Sequence, residues 1–387
     1  MSVKLSRRAL VPPFIAMDVL REANELAAGG ADVIHLEVGQ PSTPAPRAVV
    51  AAAEAALRRE VLGYTDALGL PVLREAIARH YQRTYRVVID PARIIVTTGS
   101  SAGFVLAFLA AFDAGERVAL AAPSYPAYRN ILVALDLAPV ELAAGPAEHY
   151  QPTLDLLRGA RDQIGREQID GLIIASPANP TGSMIDPATL VAIAKHCEAA
   201  GIRLISDEIY HGITYEKPAA SATALSDDAI IVNSFSKYYS MTGWRIGWMI
   251  VPPDMLRAVE CLAQNLFISP PALAQYAALA AFDATEELEA NCRRYAENRA
   301  LLLAELPKAG FERFAPADGA FYLYADIAAL TNDSRDFCSR MLREIGVACT
   351  PGVDFDPTRG HATMRICFAG ATADIAEAVR RLHNWKR

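Results

Sequence analysis

Between residues 90 and 250, short apolar runs alternate with longer stretches in which apolar residues return every three or four positions. The runs are Arg93-IIVTT, Arg117-VALAAP, Gly171-LIIASP, Ile202-RLISDE, Ala229-IIVNSFS and Ile246-GWMIVP. They are nearly continuous rather than alternating, which is how strands buried on both faces read. Residues 101–112 and 187–200 carry the helical period. Strand and helix in alternation predict one large α/β unit, a parallel sheet covered by helices. After "VPP" (251–253) the pattern changes: 254–303 reads as helix with a break at Ser269-Pro270-Pro271, and the tail adds short strands at Gly319-AFYLYAD and Met364-RICFA. This predicts a second, smaller α+β domain completed by the N-terminal residues, with the large domain over 46–285 and the small one over 1–45 with 286–387.

Composition narrows the function. The chain has 387 residues, 52% of them hydrophobic and 21% charged, which suits a folded enzyme and neither disorder nor a fibrous repeat. A net charge of −7 without a basic block offers no footprint for nucleic acid. No run approaches the about 18 apolar residues of a membrane helix. The start imitates an export signal, but Pro12-Pro13 breaks the apolar stretch and Asp18 closes it, so a cytoplasmic protein is expected. Six scattered cysteines and seven histidines show neither CxxC nor HExxH spacing, and no metal is expected.

In open parallel sheets ligands bind beyond the carboxyl ends of the strands. Here those ends carry Gly99-Ser100-Ser101 at a helix start, Tyr125, Asn179, Asp207 with Tyr210, and Ser234-Phe-Ser236-Lys237. Each has an ordinary reading alone: a capped turn, a half-buried aromatic, a turn Asn, a helix-capping Asp, a surface lysine. Together they assemble a phosphate cup, a ring-stacking aromatic, an amide, a carboxylate, a phenol and an amine. Pyridoxal 5′-phosphate uses all six, the amine forming an imine and the acid pairing with the ring nitrogen.

The chain resembles the class I/II, fold-type I pyridoxal-phosphate-dependent aminotransferases. The motifs that carry the likeness run in family order: Gly39-Gln-Pro, "GYTDALGLPVLREAIA" (63–78), "TTGSSAG" (97–103), "PSYPAY" (123–128), "NPTG" (179–182), "SDEIY" (206–210), "SFSKYYSMTGWRIGW" (234–248), "PADGAFYLY" (316–324), "TPG" (350–352) and "MRICFA" (364–369). The resemblance implies a mostly parallel seven-stranded sheet and a ping-pong exchange of an amino group between an L-amino acid and a 2-oxo acid. It implies that Lys237 forms the internal aldimine and shuttles the proton, and that Asp207 keeps the pyridine nitrogen protonated. Tyr210 and Asn179 would bond the phenolic oxygen and Tyr125 would stack on the ring. Gly99, Ser100, Ser101, Ser234, Ser236 and Arg245 would surround the phosphate, reached also by Tyr64 from a neighbouring subunit of a homodimer. Arg365, helped by Gly39 and Asn179, would clamp the substrate α-carboxylate.

A C–S β-lyase of the same fold would use the same Lys237 and Asp207, and remains the alternative. No extra Lys or Arg stands where relatives specific for acidic substrates grip the distal carboxylate, and "LVPPFIAM" (10–17) is apolar. Both point to a neutral or apolar amino donor, with 2-oxoglutarate or pyruvate as acceptor. "TPGVDFDP" has Asp356 where the family often has Gly, so a different local turn is expected.

Overall fold

A computed structural model describes residues 3–163 and 168–386. The chain opens with α1 (Ile15–Ala28), β1 (Ile34–His35), α2 (Arg47–Arg59) and α3 (Pro71–Tyr85). The α/β region follows with β2 (Ile94–Thr97), α4 (Gly99–Ala111), β3 (Arg117–Ala122), α5 (Pro126–Ala134), β4 (Ala138–Ala143), α6 (Leu154–Gln163), β5 (Gly171–Ala175), α7 (Pro187–Ala200), β6 (Arg203–Asp207), β7 (Ile230–Ser234) and β8 (Gly247–Ile250). Then come α8 (Leu256–Leu266), α9 (Ala272–Leu279), α10 (Thr285–Glu305), β9 (Arg313–Phe314), β10 (Tyr322–Asp326), α11 (Ser334–Ile345), β11 (Val347–Ala348), β12 (Thr350–Pro351), β13 (Thr363–Cys367) and α12 (Thr372–Asn384).

The central sheet has seven strands in the order β2-β8-β7-β6-β5-β3-β4. Alternate residues of each strand go to opposite faces. Ile94, Val96, Leu172, Ile174, Leu204 and Ile231 join one core with residues of α2, α3, α7 and α9. Ile95, Val118, Leu120, Ile173, Ile205 and Val232 join another with α4, α5 and α8. Two apolar faces explain why the runs read as continuous.

Three features differ from the pattern reading. β8 is antiparallel to both of its neighbours, β2 and β7. Only residues 235–246 join β7 to β8, with no crossover helix, and a link of that kind suits antiparallel neighbours. β4 has no apolar run to mark it as a strand because it lies at the sheet edge, is mostly half-buried or exposed, and contains Pro139. α4 begins at Gly99, so Ser100 and Ser101 lie in its first turn rather than in the loop before it.

The C-terminal elements form a four-stranded antiparallel sheet, β12-β13-β10-β9. Its core draws on Tyr295, Leu302, Leu323, Phe337, Met341, Ile366 and Ile375, together with Ile34 and Leu36 from the N-terminal segment. β1 pairs with β11, which ties residues 34–35 to this sheet's side of the molecule.

Candidate active site

β2, β3, β5, β6 and β7 run in one direction, and the residues after them open into a cavity of about 460 Å³. Phe14, Met17 and Leu20 of the N-terminal segment form one wall. Of the residues singled out in the sequence, Gly39, Ser100, Ser101, Tyr125, Asn179, Asp207, Tyr210, Ser236, Lys237, Arg245 and Arg365 line this cavity. Gly99, Ser234 and Tyr64 do not. Ser234 lies one layer back, where its hydroxyl donates to the Ile246 carbonyl at 3.0 Å and meets Ser236 Oγ at 2.8 Å. Tyr64 is on the outer surface, 84% exposed.

Lys237 sits on the connection from β7 to β8. Phe235, fully buried against Tyr239, Trp248 and Phe282, anchors the start of this connection. Thr242 Oγ1 donates to the Ser236 carbonyl at 2.8 Å and the Met241 N–H to the Phe235 carbonyl at 3.1 Å, so the turn is closed on itself. The Lys237 amine donates to the Gly39 carbonyl at 2.5 Å. A Cβ on residue 39 would collide with the Tyr322 phenol, so only glycine lets that carbonyl come this close. Burial pushes the amine pKa down to about 8, and the Arg365 and Arg245 charges push the same way.

Asp207 closes β6 and is buried. Its Oδ2 accepts a short hydrogen bond from the Tyr128 hydroxyl and its Oδ1 accepts the Ile209 N–H at 3.0 Å. Burial raises its pKa to about 6, while both hydrogen bonds and Lys237 hold it down. The neighbouring acid, Glu208, is not on the cavity wall: Ser221 Oγ and the Ala222 N–H hold it, each at 2.9 Å. The motif spacing does not mark Tyr128, which lines the same cavity from the first turn of α5, next to the N-cap Tyr125.

Two cationic places flank the amine. At one, Arg245 faces the start of α4. Gly99 has φ +69°, and a Cβ there would meet the Arg245 guanidinium. Thr98, the N-cap, makes no capping bond, so the first-turn N–H groups of α4 have no side-chain acceptor from it. At the other, Arg365 is buried on β13, its guanidinium between the rings of Tyr322 (4.5 Å) and Phe355 (4.7 Å). It donates to Asn179 Oδ1 at 2.9 Å, to Thr350 Oγ1 at 3.2 Å and to the Glu37 carbonyl. These are neutral oxygens, and Nε has no partner among the described residues. A buried cation so placed favours an anionic ligand. Tyr322, the second residue the motif reading passed over, also bonds Tyr210 phenol to phenol at 2.6 Å.

The cavity therefore offers an amine, a carboxylate, a phenol, an aromatic face and two anion-seeking ends. The family model for aminotransferases of class I and II matches residues 31–382. The chain belongs to the class I and II aminotransferases. It is 50% identical to the valine–pyruvate aminotransferase of Mycobacterium tuberculosis over 100% of this chain and 99% of that one. It is 31% identical to an aspartate aminotransferase of Geobacillus stearothermophilus over 99% of each. The crystal structure of an aminotransferase from Mycobacterium tuberculosis superposes with a TM-score of 0.96, at 50% identity and 99% coverage of both chains. As an aminotransferase, the protein is an enzyme of the fold-type I group that moves an amino group between an amino acid and a 2-oxo acid. These relatives do not favour the β-lyase alternative. Aminotransferases of this family use pyridoxal 5′-phosphate, and the Arg245 guanidinium, the amine and the Asp207 carboxylate have the chemistry to receive it.

Proposed function

We propose that the cavity holds pyridoxal 5′-phosphate, with its aldehyde at Lys237, its ring nitrogen at Asp207, its phenolic oxygen at Tyr210 and Asn179, and its ring face at Tyr125. Its phosphate goes to Ser100, Ser101, Ser236 and Arg245, with Gly99 and Ser234 shaping that end from behind. When bound, the cofactor supplies an electron-accepting ring that makes an amino acid's α-C–H bond breakable. Asp207, oriented by Tyr128 and the Ile209 N–H, holds the proton on the ring nitrogen. Lys237, with its lowered pKa, has a free amine to receive the proton from Cα and return it. Arg365 grips the α-carboxylate beside Gly39 and Asn179, giving its unpartnered Nε an acceptor. A buried amine with a lowered pKa, sharing one cavity with Asp207 and with an Arg365 that has only neutral oxygens as partners, is the observation that carries this reading.

The donor we propose is a neutral aliphatic amino acid. Among the described residues lining the cavity, Lys237, Arg245 and Arg365 are the cations and all have roles, while Phe14, Met17 and Leu20 offer an apolar wall. The relative named for valine and pyruvate agrees. The further parts of the proposal are a homodimer in which Tyr64 reaches the partner's phosphate end, domains over 46–285 and over 1–45 with 286–387, and a cytoplasmic location. Six free thiols suit a reducing compartment.

A single-substrate incubation tests the reaction. Cofactor-loaded protein given valine alone is expected to release about one equivalent of 2-oxo acid per site and stop, its cofactor left in the amine form. Continuous release of oxo acid and ammonia without an acceptor would overturn transamination.

A further inference from the structure

α1 forms a wall of the cavity and buries few whole side chains: Ala16 and Ala23 are its buried residues, and Val19 and Leu26 pack half-buried against Leu342 and Ala348. Its N-cap, Phe14, has no side-chain acceptor for the first-turn N–H groups. A distant carboxylate takes that part. Asp354 Oδ1 accepts the Ile15 N–H at 2.9 Å and its Oδ2 accepts the Ala16 N–H at 3.1 Å. Asp354 is buried, so these bonds are sheltered from water. A second polar tie of α1, Glu22 to Arg343 at 2.7 Å, is largely exposed and correspondingly weak.

The loop that carries Asp354 also reaches the rest of the site. The Asp354 carbonyl accepts from Arg129 on α5 at 3.3 Å. The next residue, Phe355, accepts the Ser124 N–H at 3.1 Å through its carbonyl and places its ring 4.7 Å from the Arg365 guanidinium. One short stretch thus joins the apolar wall to the arginine proposed to hold the substrate carboxylate.

We infer that Asp354 is a positioning residue for substrate selection: by capping α1 from outside the helix, it holds Phe14, Met17 and Leu20 where the donor's aliphatic side chain must pack. The inference rests on the transaminase reading and adds to it the residue that sets the wall. An alanine side chain ends too soon to use the wall fully; a valine or leucine side chain extends further into it. One methylene in an apolar pocket is worth roughly tenfold in discrimination.

Two variants and two readouts test this. In cofactor-free Asp354→Ala, hydrogen exchange of a peptide spanning residues 14–28 is expected to quicken about tenfold over the first turn. In the loaded enzyme, KM for valine is expected to rise about tenfold more than KM for alanine, with kcat changing by less than about threefold for either. Asp354→Asn, which keeps an N-cap acceptor, is expected to recover most of both effects. Unchanged exchange, or equal changes in KM for the two donors, overturns the inference. If the wild-type enzyme transaminates neither donor, the functional reading fails, while the exchange measurement still decides whether Asp354 holds α1.

Discussion

At the scale of the residue, Lys237 is where position changes chemistry. A lysine with an ordinary pKa near 10.4 has about one amine in 2,500 free at pH 7, whereas one at about 8 has about one in eleven. The rate at which cofactor-free protein takes up pyridoxal 5′-phosphate, read from the visible absorbance of the joined cofactor, is therefore expected to climb with pH and level off above about 8. A flat profile between pH 6 and 9 would contradict it, and Lys237→Ala should show neither the absorbance nor turnover. Asp207 gives a stability prediction of definite sign. Its folded pKa, about 6, lies above the ordinary carboxylate value, so folded protein binds the proton more tightly than unfolded protein does. Its contribution is present in acid and lost as pH rises from about 4 to 6, a change on the order of 3 kcal/mol. Cofactor-free wild type should thus lose stability relative to Asp207→Asn across that range, as urea titrations at several pH values would show. Lys237 and Asp207 were legible in the sequence because one closes a buried strand and the other comes just after one. Tyr128 and Tyr322 were not, because their roles depend on contacts across 79 and 112 residues, which spacing does not display.

At the scale of the element, strand ends and short connections do the positioning. The 235–246 connection presents Lys237 and Arg245 because it closes tightly between antiparallel strands. The turn at Asp356 is the counterpart on the other sheet's side. Its carboxylate accepts the Thr358 and Arg359 N–H groups at 3.1 and 2.8 Å and Arg359 Nε at 2.7 Å, and Arg359 in turn donates to the Ala122 carbonyl at the end of β3. This is the local turn the sequence left open, and its bonds tie the turn to the end of β3. Asp356→Ala removes the acceptor of three half-buried hydrogen bonds and should destabilise the protein by about 1–3 kcal/mol, a drop of about 1–4 °C in Tm with the substrate preference kept. A changed preference with an unchanged Tm would show that the turn serves substrate choice instead.

At the scale of the whole molecule, the surface around Tyr64 carries several exposed apolar side chains. Val61 is 95% exposed, and Leu57, Leu266 and Ile268 are exposed beside it in sequence or across the Gln275 bridge, whose amide joins Thr65 to Pro270. Exposed apolar side chains of this kind are what the proposed homodimer would cover. Sedimentation is expected to give twice the chain mass at micromolar concentration, and Tyr64→Ala should weaken cofactor affinity about tenfold while leaving the dimer. A fully active monomer would remove the shared-site proposal. What the sequence by itself determined was the α/β class, the order of the motifs and the chemistry at the strand ends, because apolar periodicity and short motifs are local properties. What the tertiary structure alone decided was the reversed β8, the layer of Ser234 behind Ser236, the bare Nε of Arg365 and the capping of α1 by Asp354. Each of these depends on which distant segments share a buried space, and that is set by the packing of the cores rather than by any one stretch of residues.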